Sequence, residues 1–136
     1  RDIQQVQAIA RGGYILKDVE NPQAILIATG SEVELTLQAA DALGQKNIAV
    51  RVVSMPCAEV FCEQEKSYQE QVLPSSIRSR VAVEALHADY WHKFVGLDGR
   101  VVGMRTFGES APGGVLMKEF GFTVENVVAT VMETLS

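Results

Sequence analysis

Ala24-Ile25-Leu26-Ile27-Ala28-Thr29-Gly30-Ser31-Glu32-Val33-Glu34-Leu35 decides the fold class of this chain. Five successive apolar residues, Ala24–Ala28, lack the apolar/polar alternation of a strand with one wet face. A strand of this kind is buried on both faces, as in a parallel sheet covered by helices. Thr29-Gly30 supplies a turn, and Ser31 opens an amphipathic helix expected to reach about Gln45. Val33, Leu37, Ala40 and Leu43 make its expected buried stripe, and Glu34, Gln38, Asp41 and Gln45 its wet face.

The same grammar continues along the chain. Ile3, Val6 and Ile9 fall at helical spacing, and Gly12-Gly13 ends that segment, so residues 1–13 read as the end of a linker. The domain is expected from 14 to 136. Tyr14–Asp18 reads as a short strand closed by a turn at Glu20-Asn21-Pro22. Ile48–Met55 is rich in β-branched residues and reads as a strand stopped by Pro56. Residues 57–75 read as a loop plus a short helix over Gln64–Leu73, ended by Pro74. Strands follow at Arg80–Ala85 and Val101–Met104, with a helix over Asp89–Val95 between them. Phe107–Pro112 is a loop leading to a helix over about Val115–Phe120. Thr123 caps a final helix whose apolar face is Val124, Val127, Val128, Val131 and Leu135. Strands alternating with helices on short connections imply an α/β domain with a mostly parallel sheet.

Composition narrows the function classes. The chain has 136 residues, is 47% hydrophobic and 21% charged, and carries a formal charge of −5. That is one globular core, and its acidic balance argues against nucleic acid or an anionic membrane as partner. No apolar run approaches the roughly 20 residues that span a bilayer. Cys57 and Cys62 are the only cysteines. Their spacing fits neither a Cys-x-x-Cys redox pair nor a zinc site, leaving free thiols or a regulatory disulfide.

Three places can carry chemistry. Gly30 and Ser31 sit where a strand–glycine–helix turn binds anions through backbone N–H groups, though only one glycine of the dinucleotide fingerprint is present. Glu32 and Glu34 would repel a phosphate there, and Ser31 with Glu34 fits a capping box worth about 1 kcal/mol. The Gly-x-Ser-x-Gly elbow of a nucleophilic serine fails on both sides of Ser31. Glu84, His87, Asp89, Trp91 and His92 form a second cluster, at the carboxyl end of a strand. His87 and His92 are spaced to point to different sides of a helix, which leaves partner contact ahead of metal or acid/base roles. The third place is Phe107–Pro112, where Phe107, Glu109 and Ser110 follow a strand end; either Ser110 caps the next helix or the loop is presented to another domain.

Several segments together resemble the C-terminal domain of bacterial transketolases. They are Ile9-Ala10-Arg11-Gly12-Gly13-Tyr14, Ile27–Leu35, Arg51-Val52-Val53-Ser54-Met55-Pro56, Arg80–Ala85, Ala88-Asp89-Tyr90-Trp91, Thr106–Pro112 and Phe120–Asn126, in family order over nearly the whole chain. The resemblance implies a five-stranded, three-layer α/β sandwich, mostly parallel with one antiparallel strand. It implies a cytoplasmic homodimer in which thiamine diphosphate and a divalent cation, Mg or Ca, serve transfer of a two-carbon ketol unit between sugar phosphates of the pentose phosphate pathway. In that family the cofactor lies between the two preceding domains, and the C-terminal domain contributes to the dimer. Asp98-Gly99 lacks the leading glycine of the family's Gly-Asp-Gly metal motif, so no catalytic, cofactor or metal residue is assigned here. The candidate interface is Phe107, Glu109, Ser110 and Trp91, with Gly30 and Ser31 a weak anion site. The alternative function is a regulatory nucleotide- or sugar-phosphate-binding module. Cys57, Cys62, His87 and Gly113-Gly114 depart from the family's usual residues.

Overall fold

The computed structural model describes residues 10–28, 33–84, 92–103 and 123–135. In chain order the elements are β1 (Tyr14–Lys17), β2 (Ala24–Ala28), α1 (Val33–Gln45), β3 (Val50–Ser54), α2 (Ala58–Cys62) and α3 (Lys66–Val72). They continue with β4 (Arg80–Glu84), α4 (His92–Val95), β5 (Arg100–Gly103) and α5 (Val124–Leu135). The five strands form one sheet in the order β1-β3-β2-β4-β5. β2 pairs in parallel with β3 and β4, and β4 with β5, while β1 runs antiparallel to β3 with a register shift between Ile15 and Lys17. The fold is therefore the α/β class expected, with one antiparallel strand.

The two-faced strand explains the two cores. No residue of β2 is more than 1% exposed. Leu26, Val52, Val81 and Val83 pack with Ala39, Ala40 and Leu43 of α1 and Val127 and Val131 of α5. Ile25, Ile27, Val53 and Ala82 face the other way, toward Phe61 of α2, Val72 of α3 and Phe94 and Val95 of α4. Because strand side chains alternate, these are opposite faces of one sheet, and the molecule has three layers.

Three details differ from the sequence reading. The buried stripe of α1 is Thr36, Ala39, Ala40 and Leu43; Val33 and Leu37 are only partly covered. Small residues let α1 lie close against the sheet and α5, and periodicity alone weighted the larger ones. Ala58–Cys62 is helical where a loop was expected, and its Phe61 is 1% exposed. Along α5, Val127 and Val131 are buried while Leu135 is 37% exposed, so the apolar face fades toward its end. Turn chemistry follows the expected residue types. Asn21, before Pro22, has φ 52°, and Asn47, after α1, has φ 64° with Ile48 N donating to Leu43 O at 3.0 Å.

Candidate functional site

In an open α/β sheet, sites form outside the carboxyl ends of the strands where strand order reverses. Here β3 lies on one side of β2 and β4 on the other, so the reversal falls between β2 and β4. Ala28 pairs with Ser54 and Val83, and Glu84 with Gly103, which brings these strand ends level. Chain connectivity thus sends the segment holding Gly30 and Ser31 and the segment holding His87 and Trp91 out from neighbouring strands. Gly30, Ser31, His87, Asp89, Trp91, Phe107, Glu109 and Ser110 themselves lie outside the described residues, as does the expected helix over Val115–Phe120. Glu84 ends β4 as expected.

The described residues place a different set of polar features on the α2–α3–α4 face. Arg80 opens β4. Its Nε donates to Ile77 O at 2.9 Å, Nη1 to Phe94 O at 2.8 Å, and Nη2 to Leu73 O at 3.2 Å and Pro74 O at 2.7 Å. Burial lowers its pKa, and Glu70 partly offsets this. Arg51 of β3 donates to Gln71 O at 3.0 Å and Val72 O at 3.2 Å. Two arginines therefore bind four consecutive carbonyls at the carboxyl end of α3, where a helix leaves such groups without internal partners. Nothing in the local sequence signals this, because each guanidinium reaches carbonyls outside its own strand, Arg51 across about 20 residues and Arg80 across three to 14. Beside Arg80 a cavity of about 640 Å³ is lined by α3, α4 and the end of α2.

The lead-in to β1 is also fixed. Tyr68 donates its hydroxyl hydrogen to Gly13 O at 2.7 Å, Cys57 N donates to Gly12 O at 2.9 Å, and the Arg11 guanidinium lies 4.8 Å from the Tyr68 ring. Gly12 has φ +83°, and a Cβ there would sit 2.5 Å from Phe61 N; at Gly13 it would sit 2.8 Å from Phe61 Cδ1. Both glycines are thus required by close approach to α2.

Cys57 and Cys62 are free, exposed thiols at the two ends of α2. Five residues of helix separate them by about 7.5 Å along the axis. That exceeds the roughly 7 Å a disulfide can bridge, so the pairing weighed from sequence would require α2 to unwind. Among the described residues no cluster of three or more His, Cys, Asp or Glu side chains is placed to hold a metal ion. They therefore do not fit a divalent cation, and no step through thiamine diphosphate is assigned to them. Among them, too, no helix is long and apolar enough to cross a membrane.

Residues 12–123 match the family model described as "Transketolase-like TK C-terminal domain". The chain belongs to this family. Among curated relatives of this transketolase domain, Transketolase 2 of Vibrio parahaemolyticus is 57% identical over 137 residues, covering 100% of this chain and 21% of its own length. Transketolase 1 of Escherichia coli is 55% identical over 136 residues, covering 99% and 20%. Among solved structures, transketolase from Leishmania mexicana superposes with a TM-score of 0.87 at 44% identity, covering 96% of this chain and 19% of that one. A split-gene transketolase, described as an inactive β4 tetramer, gives a TM-score of 0.67 at 25% identity, over 93% of this chain and 43% of that one. The transketolase C-terminal domain thus spans about a fifth of the length of these curated relatives.

Proposed function

We propose that this chain is the scaffold and subunit-contact part of a transketolase and holds none of the groups that perform its chemistry. The whole enzyme would transfer two-carbon ketol units between sugar phosphates, using thiamine diphosphate and a divalent cation. It would work as a cytoplasmic homodimer, in the pentose phosphate pathway. Residues 1–13 would end the linker from the preceding domains, with 14–136 forming the domain itself. One observation carries the reading: the matched relatives are transketolases in which this segment is about a fifth of the chain. The Arg51 contacts support it, because that guanidinium is spent on helix carbonyls and the Asp18 carboxylate and is not presented to a substrate. The split-gene relative, inactive as a β4 tetramer although its chain is longer than this one, points the same way.

Calorimetric titration of the 136-residue chain with thiamine diphosphate and Mg tests the proposal. No binding and no ketol transfer are expected, and clear micromolar binding would overturn it. The reversal of strand order between β2 and β4 favours a second reading, a regulatory nucleotide or sugar-phosphate site near Gly30, Glu84 and Phe107. A ligand at about 100 times its dissociation constant adds about 2.7 kcal/mol, so a thermal-shift screen with those compounds separates the two.

A further inference from the structure

The two arginines at the carboxyl end of α3 differ in one respect. Besides its carbonyl partners, Arg51 donates from Nε and Nη2 to the Asp18 carboxylate at 2.9 and 3.4 Å. Arg80 spends four of a guanidinium's five N–H groups on carbonyls and has no carboxylate partner among the described residues. Carbonyl oxygens satisfy donors without neutralising the unit charge, and a partly buried cation gains from a counter-ion. The carboxylate closest in effect, Glu70, is itself engaged, accepting from Ser75 N at 2.6 Å and Ser75 Oγ at 3.2 Å.

The cavity of about 640 Å³ lies beside Arg80 and is lined by Lys66, Lys93, Ser67 and Ser75 as well. Among the described residues Arg80 and Lys66 face it against the carboxylate of Glu70, in a chain whose net charge is −5. Phe61, Leu73 and Phe94 line its apolar side. We infer that this cavity is a binding site for a phosphate-bearing small molecule, held by Arg80 and Lys66. A carboxylate is matched best by an open arginine fork, and the fork of Arg80 is already occupied. Ammonium and hydroxyl donors suit instead a tetrahedral oxyanion approached from several sides. The volume falls within the roughly 300–1,000 Å³ of small-molecule pockets, far above that of a bare ion, so the phosphate should carry an organic body. This site is distinct from the strand-end loops and does not depend on the scaffold reading.

The test is a ¹H–¹⁵N NMR titration of the chain, arginine Nε–Hε signals included, at constant ionic strength. Its ligands are inorganic phosphate, phenyl phosphate and acetate. Saturable shifts at Arg80 Nε–Hε and the Ser67 and Ser75 amides are expected at about millimolar phosphate, with phenyl phosphate tighter and acetate weaker. Arg51 Nε–Hε, already paired with Asp18, should stay in place. Lys66→Glu, at an exposed position, should weaken binding at least about fivefold, and Glu70→Gln should strengthen it. The site is refuted by any of three results: no saturation with either phosphate to about 50 mM, acetate equal to phosphate, or Lys66→Glu without effect.

Discussion

Arg80 and the Gly12-Gly13 pair show how single residues set this structure through partners outside their own elements. Replacing Arg80 by Met strips four carbonyls of their donor, and unfolding in urea should show a loss of about 3 kcal/mol. Arg80→Lys keeps the charge but not the fork, so it should recover less than half of that loss. Burial holds the Arg80 pKa below the usual arginine value, so the folded state gives up that proton first. The linkage therefore adds stability only as pH climbs through the strongly alkaline range where arginine loses its proton, and is silent near neutrality. At the lead-in, the two glycines should rank differently. Gly12→Ala meets backbone at Cys57 and Phe61 in a left-handed conformation, and about 3 kcal/mol should be lost. Gly13→Ala presses on the flexible Met55 side chain and the Phe61 ring, so about half that cost is expected. Equal losses in thermal unfolding would show that the backbone clash is not the deciding term. From sequence these glycines read only as a helix stop, because Met55 and Phe61 lie more than forty positions away.

At the scale of elements, legibility followed the strength of the local pattern. β2 was plain because five apolar residues in a row admit little else, and α5 because its valines recur at helical spacing and Thr123 stands ahead of them. Asn126 N donates to Thr123 Oγ1 at 3.1 Å, so Thr123→Ala should cost about 1 kcal/mol, readable as a lower unfolding midpoint. By contrast α2 is one turn and a half long, too short for periodicity to register. Its helix is specified by tertiary burial of Ala58 and Phe61, which the sequence shows only as two apolar residues near Pro56. The α1 stripe was misplaced for a related reason. Thr36 is fully buried although it is polar, while Leu37, the larger and more apolar residue, packs at the margin. Helix α3 was expected in place, but the two arginines that finish it come from β3 and β4 and leave no mark near Val72.

For the whole molecule, the sheet closes a complete core on each face, with Leu26 and Val52 on one side and Ile27 and Val53 on the other. A chain with both faces covered should fold without the rest of a transketolase and unfold in one cooperative transition. Its contribution to a larger enzyme would then lie at its surface. The strand order places the β2 and β4 ends at the reversal point and β5 at the sheet margin beyond them, and the segment carrying Phe107, Glu109 and Ser110 leaves β5 there. An aromatic residue beside a carboxylate and a hydroxyl suits a contact with an apolar centre and a polar rim. Phe107→Ala, Glu109→Ala and Ser110→Ala, introduced together into a full-length relative, should raise its subunit dissociation constant by about tenfold or more, measured by sedimentation. The same changes in the 136-residue chain should leave its unfolding midpoint within about 0.5 kcal/mol of the parent. Loss of folding in the short chain together with intact assembly of the long one would reverse the assignment, making the loop part of the domain's own core.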